Sequence, residues 1–127
     1  MPVQAIAKSV RVSPRKVSVV ASLVRGRTVA DALVILSQTP RNSAISVIKV
    51  INSAKANADH NHNYKPDTLR ITEISVTPGT RSKRFRPVSR GMAHPYQKRT
   101  SHIKVVVDGE MRPKKPSSTA KVVKESK

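Results

Sequence analysis

Apolar residues recur at helical spacing in three stretches of the chain and alternate with polar ones in three others. Val17, Val20, Ala21 and Val24 lie three to four residues apart and mark one stripe of a first helix. Ser13-Pro14 predicts its start, because serine caps free N–H groups and proline at the first helical position lacks an N–H that would have no partner there. Gly26 predicts its end as a left-handed cap. Thr28, with Asp31 three residues on, predicts a second helix whose stripe is Val29, Ala32, Leu33 and Leu36. Thr39-Pro40 repeats the Ser-Pro start and predicts a third, longer helix. Its stripe is Ala44, Ile48, Ile51, Ala54 and Ala58, widened by Ile45 and Val47. That helix is expected to run out in Asp59-His60-Asn61-His62-Asn63, a stretch of loop formers ahead of Pro66.

The strand-like stretches read differently. Gln4–Val12 predicts a strand or extended arm with Ile6, Val10 and Val12 inward and Lys8 and Arg11 outward. In Leu69–Thr77 the apolar phase shifts from Leu69 and Ile71 to Ile74 and Val76, which predicts a β-bulge near Thr72-Glu73. Ile103, Val105 and Val107 alternate with His102 and Lys104 in a return strand over Thr100–Val107. Residues 78–99 between these strands are too many for a tight turn and predict a protruding hairpin with a reach of about 30 Å at 3.3 Å per residue. No internal repeat is present. The expected fold is α+β: three helices packed on a small antiparallel sheet with a long protruding β-hairpin. Residues 1–108 form one domain, and 109–127, with Lys114-Lys115 and further lysines, form a disordered basic tail.

Composition adds a partner to this picture. The 127 residues carry 25 Lys and Arg against 7 Asp and Glu, a formal charge of +18. Tyr64, Phe85 and Tyr96 are the only aromatics and 37% of residues are hydrophobic, so the core is thin and the fold leans on its partner for stability. The absence of cysteine excludes disulfides and thiolate metal sites. No apolar run approaches the roughly 20 residues of a membrane span. Met1-Pro2-Val3-Gln4-Ala5 has no signal-peptide pattern. The expectation is a soluble intracellular protein with no membrane partner.

The charge is concentrated. From Ile74 to Val107 there is no carboxylate, while Arg81, Lys83, Arg84, Arg86, Arg90, Lys98, Arg99 and Lys104 fall in that window. A finger of one sign repels itself in water and suits a dense polyanion such as folded nucleic acid. Phe85 and Tyr96 either stack on splayed bases or plug an apolar contact at the finger's base. A second basic set is Arg11, Arg15, Lys16, Arg25 and Arg27. Of these, Arg15 and Lys16 sit in the first turn of a helix, where positive charge opposes the dipole and phosphate binding explains it better than stability. His60-Asn61-His62 has no third ligand, so no metal is expected. The carboxylates are scattered and no phosphate-cradling glycine loop occurs, so no catalytic residue and no cofactor are assigned. A small hydrolase using His102 with Thr100 or Ser101 is the rival from another class. With too few rings for an aromatic platform, the features suit backbone and shape recognition of folded RNA. The nearest rivals are a free nucleic-acid chaperone and an architectural DNA-binding protein with basic β-arms.

Val12-Ser13-Pro14-Arg15-Lys16-Val17 with Leu23-Val24-Arg25-Gly26-Arg27, Ile51-Asn52-Ser53-Ala54-Lys55-Ala56-Asn57-Ala58, and Lys98-Arg99-Thr100-Ser101-His102-Ile103 resemble three separated motifs of the large-subunit ribosomal protein L22 (uL22) family. The resemblance covers roughly residues 4 to 108. It implies a structural, non-enzymatic protein of the ribosome that binds large-subunit (23S-type) rRNA during assembly, beside neighbouring large-subunit proteins. It leaves a bacterial cytoplasm and an organelle both open as the compartment. It also implies that the hairpin lines the polypeptide exit tunnel and meets the nascent polypeptide. On this resemblance the tip is Phe85, Arg86, Pro87, Val88, Ser89, Arg90, Gly91, Met92, Ala93, His94 and Pro95, and Lys83, Arg84, Arg90, Lys98 and Arg99 meet rRNA phosphates. Arg15, Lys16, Arg25 and Arg27 anchor the body; Arg11, Arg81, Arg86, His102 and Lys104 complete the candidate rRNA-binding set. Val88, Met92 and Pro95 depart from the basic residues common in the family, which implies a less charged and more irregular tip.

Overall fold

A computed structural model describes residues 1–113 of the chain. The element order is β1 (Val3–Val10), α1 (Pro14–Val24), α2 (Val29–Gln38), α3 (Asn42–His62), β2 (Arg70–Pro87) and β3 (Ala93–Asp108). The strands form one antiparallel sheet in the order β1-β3-β2. Helices α1 and α3 lie on one face of it and α2 packs against both of them. The expected α+β architecture with its protruding hairpin is therefore the observed one.

The helical stripes are the core. Val17, Val20, Ala21 and Val24 of α1 and Val47, Ile51, Ala54 and Ala58 of α3 are sealed against Ile71, Ile74, Ile103, Val105 and Val107 of the sheet. Ile45, expected to widen the α3 face, is instead turned to solvent, and Val50 takes the inward place. Capping differs in detail from the sequence reading. Thr28 caps α2 through its side chain, which accepts from the Asp31 N–H. Ser13 caps α1 with its carbonyl, which accepts from Lys16 and Val17, and its side chain makes no cap bond. Gly26 has φ +75° just past α1, as a left-handed cap requires.

Thr39-Pro40 closes α2 rather than opening α3. The Thr39 hydroxyl donates to the Ile35 carbonyl, its N–H donates to the Leu36 carbonyl, and α3 starts only at Asn42. The residue before a proline avoids helical φ/ψ, and Thr39 with ψ 116° obeys that rule. At its far end α3 continues through the expected loop formers to His62 and stops at Asn63 in the left-handed region.

The inward face of β1 differs from the one periodicity predicts. Val3 and Ala5 face the core while Ile6 is half exposed. A bulge between Ala7 and Val10, with Ser9 at φ 55°, then resets the phase so that Val10 packs against the core. The bulge expected near Thr72-Glu73 is present as a register shift between Ile71 and Glu73.

A further bulge between Pro78 and Arg81 marks where the finger leaves the body. Gly79 sits there because nothing larger fits. A Cβ on it would lie 2.5 Å from the Thr100 hydroxyl oxygen and 3.2 Å from the Thr100 backbone carbon. That hydroxyl donates to the Thr80 carbonyl across the bulge at 2.8 Å. Gly79→Ala is expected to push Thr100 out of this bond and cost about 1–3 kcal/mol. Hydrogen exchange should speed up at amides 81–99 and stay slow in α1 and α3; unchanged protection in the finger would contradict the role given to this joint.

The chain beyond Asp108 does not leave the body at once. The Lys65 N–H donates to the Glu110 carbonyl and the Arg112 N–H to the Asn63 carbonyl. Lys65 pairs with Glu110 and Arg112 with Asp59. Tyr64, buried beside this segment, donates its hydroxyl to the Met1 carbonyl. Burial, and after it the Asp108 carboxylate, push its phenol above the ordinary value, so it stays a donor. Residues 114–127 of the expected tail lie outside the described residues.

Candidate nucleic-acid interface

The finger is a two-stranded ladder that runs in register from Arg81 paired with Arg99 to Pro87 paired with Ala93. Its loop is only residues 88–92, closed by the Val88 N–H donating to the Met92 carbonyl at 2.9 Å. The tip expected over Phe85–Pro95 is thus mostly paired strand, and Pro95 does not make it irregular. Hydrogen-bonded pairs alternate along an antiparallel ladder. With Val88 and Met92 bonded, the Phe85–Pro95 and Pro87–Ala93 pairs are the non-bonded ones, so neither proline removes a bond inside the ladder. One proline on each outer edge also blocks pairing with a foreign strand.

Alternation gives the finger two faces. Arg84, Arg86, His94, Tyr96 and Lys98 project on one. Arg81, Lys83 and Arg99 project on the other, followed toward the tip by Phe85, Pro87, Ala93 and Pro95. Arg86 lies over the Tyr96 ring, 5.0 Å from its centroid. That contact holds the guanidinium in place with about 0.5–1 kcal/mol at an exposed site. Tyr96 is thereby occupied by Arg86, whereas Phe85 is 73% exposed and free to stack. Arg81 stands directly opposite Arg99, a like-charge pair that destabilises the free hairpin. Among the described residues the ion pairs are Lys65–Glu110 and Arg112–Asp59, and neither touches the finger. At the apex Arg90 holds φ 58° and Gly91 φ 68°. A left-handed arginine costs energy that glycine or asparagine would avoid, which puts a charge at the extreme end at the expense of stability.

On the body the second basic set divides. Arg25 donates to the Ile74 carbonyl at 3.2 Å and Arg27 to the Leu23 carbonyl at 3.0 Å. Arg25 ties the C-terminal end of α1 to β2 and Arg27 folds back on the last turn of α1, both about 16 Å along the helix from Arg15 and Lys16. Those two also diverge. Arg15 lines a groove with Ser18, Ser22 and Val76, and Lys16 lines another with Arg11 and Arg41. Arg41 is a cation that sequence reasoning misses. Its signal is the Pro-Arg pair it forms with Pro40, the same pair that Pro14 and Arg15 form at the start of α1.

His102 has a structural part in the body. Its Nδ1 accepts the Ser9 backbone N–H at 2.9 Å and so pins the β1 bulge. The hydrolase reading loses its members on the same geometry. Thr100 is spent on the Thr80 carbonyl, Ser101 is fully buried, and the His102 nitrogen nearest the backbone is occupied. Lys104 stands on the sheet face away from the helices, between Ile6 and Ser75.

Comparison with known proteins agrees with this geometry. The family described as ribosomal protein L22p/L17e matches residues 5–108. The large ribosomal subunit protein uL22 of Oceanobacillus iheyensis is 50% identical over 107 residues, spanning 84% of this chain and 95% of that protein. Its counterpart in Desulfitobacterium hafniense is 51% identical over 104 residues, 82% of this chain and 91% of that protein. The one in Clostridioides difficile is 50% identical over 107 residues, 84% and 96% respectively.

Proposed function

The chain belongs to the ribosomal protein L22p/L17e family and is a structural, non-enzymatic protein of the large ribosomal subunit in the cytoplasm; from that premise we propose how it is held there. The finger enters large-subunit rRNA and its cations replace the counterions of the phosphates around it. One observation carries this reading: a paired hairpin, about 30 Å long, with cations on both faces and no carboxylate from Ile74 to Val107. Such a probe is costly in water, where Arg81 faces Arg99. Inside folded RNA the same charges are neutralised from all sides.

The two faces support a division of labour. Arg84, Arg86 and Lys98 reach phosphates on one side, and Arg81, Lys83 and Arg99 on the other. The exposed Val88 and Met92 flank Arg90 in the last turn, with the exposed Phe85 just before it. A tip of that kind suits the wall of the exit tunnel, where the nascent polypeptide passes and tight phosphate binding is not needed. Residues 1–108, with the finger at about 78–99, act as one rRNA-binding unit. The body rests on rRNA and on neighbouring ribosomal proteins.

Sedimentation of a cell lysate tests the reading. The protein is expected to travel with large subunits, and a density map of those subunits is expected to show the finger surrounded by rRNA. Co-sedimentation with nucleoid would favour the DNA-binding alternative, whose basic β-arms use the same chemistry.

A further inference from the structure

The sheet has two edges, β2 on one side and β1 on the other, and they differ in what covers them. The link between α1 and α2 closes the edge of β2. The Ile71 N–H donates to the Arg27 carbonyl, the Val29 N–H to the Leu69 carbonyl, and the Arg25 guanidinium to the Ile74 carbonyl. With its N–H turned outward, Ile71 faces Val107 as a non-bonded pair, so Val107 bonds across to Val3 on its other side. Val3, Ala5 and Ala7 therefore spend their backbone groups on β3, and those of Gln4 and Ile6 point away from the sheet. The Asn57 side chain donates to the Gln4 carbonyl at 3.5 Å. Among the described residues the Ile6 N–H and carbonyl meet no partner.

A groove lies beside this open edge. Ala5, Ala7 and Val10 of β1 line one side of it, and Ser46, Lys49 and Ser53 of α3 line the other. The alanines and serines are small and leave room for a neighbour's side chains. Lys49 is the one charge in the groove; it is exposed and in no ion pair among the described residues. The groove at the finger root, by contrast, carries Arg11, Arg84, Lys98 and Arg99. Phosphates call for cations in such numbers, whereas outward N–H and C=O groups at strand spacing match another peptide backbone. Edge strands are normally blunted by charge or by bulges. Lys8 and the bulge at Ser9 blunt the far end of β1, and Gln4 to Ala7 are left unprotected. We infer that an extended segment of a neighbouring large-subunit protein adds to β1 as a fourth strand. Its alternate side chains are small and enter the groove, and an acidic one meets Lys49. This deepens the reading that the body sits against neighbouring ribosomal proteins, and it rests on that reading.

The test uses large subunits that contain the full-length chain. The sequence has no cysteine, so Ser53→Cys provides one site for a benzophenone label beside the groove. Irradiation is expected to crosslink the label to a single stretch of one other ribosomal protein, identified by peptide mass spectrometry. Hydrogen exchange at the Gln4 and Ile6 amides is expected to be fast in the isolated chain and slow in the subunit. Ile6→Pro removes the outward N–H, a change that an edge strand tolerates, and is expected to abolish the crosslink while the isolated protein keeps its circular dichroism. Lys49→Glu leaves the strand untouched and is expected to lower the crosslink yield. A crosslink to rRNA, to residues 114–127 or to a second copy of the chain would overturn the proposal, as would no crosslink at all or full yield in either variant. Absence of the chain from large subunits would instead sink the reading beneath it.

Discussion

Replacing Lys83, Arg84, Lys98 and Arg99 together by alanine is expected to leave the isolated protein folded and to stop its incorporation into large subunits. None of the four belongs to the core cluster. Their one side-chain bond is the Arg84 guanidinium on the neighbouring Lys83 carbonyl, which supports nothing beyond the finger. Removing Arg99 also relieves its repulsion with Arg81, so stability of the free chain should be unchanged or slightly higher. Binding should suffer in a defined way. Without these four cations the salt slope falls by about 3, and the affinity difference from wild type is widest at low salt. Because Arg84 and Lys98 share one face and Lys83 and Arg99 the other, the two double variants should each account for about half of the slope. Far-ultraviolet circular dichroism checks the fold, filter binding across a salt series checks the slope, and sedimentation checks incorporation. Normal incorporation of the quadruple variant would refute the role given to the finger.

Much of this interface is legible in the sequence because charge and strand period are local properties. The run without carboxylates from Ile74 to Val107 and the phase break at Thr72-Glu73 need no tertiary information. Four features are not legible, each for a physical reason. Periodicity reads Ile6 in phase with Val10 and Val12, which do pack against the core, because the bulge at Ser9 that separates them is stabilised by His102, a residue distant in sequence. Thr39-Pro40 looks like a helix start because Ser13-Pro14 is one; whether such a pair opens or closes a helix depends on the preceding turn, and Thr39 bonds back to Ile35. Proximity in sequence groups Arg25 and Arg27 with Arg15 and Lys16, yet an 11-residue helix separates their ends. Distance along the chain likewise hides Arg41, which joins Lys16 only because α3 returns beside α1. Sequence thus locates the charge, and the fold decides which cations lie side by side.

Ile51→Ala is expected to give the opposite phenotype to the finger variant. Ile51 is fully buried in the middle of α3, where it belongs to the one cluster that joins the helices to the sheet. Truncation there removes the burial of the side chain and leaves a cavity, at a cost of about 2–5 kcal/mol. Domains of this kind are stable by about 5–15 kcal/mol in total, and this core is built from small aliphatic residues with Tyr64 as its only aromatic. The isolated variant should therefore be partly unfolded, with its urea midpoint well below that of wild type. RNA binds only the folded form and restores stability by linkage, about 2.7 kcal/mol at 100 times Kd. Since every finger cation is intact, rRNA should rescue the variant and carry it into subunits, while the quadruple finger variant stays folded alone and is excluded. The pair separates stability from recognition. A cost below about 1 kcal/mol for Ile51→Ala would mean that α3 is not the centre of the core, and failure of rRNA to raise its urea midpoint would mean that the folded body is not what the RNA binds.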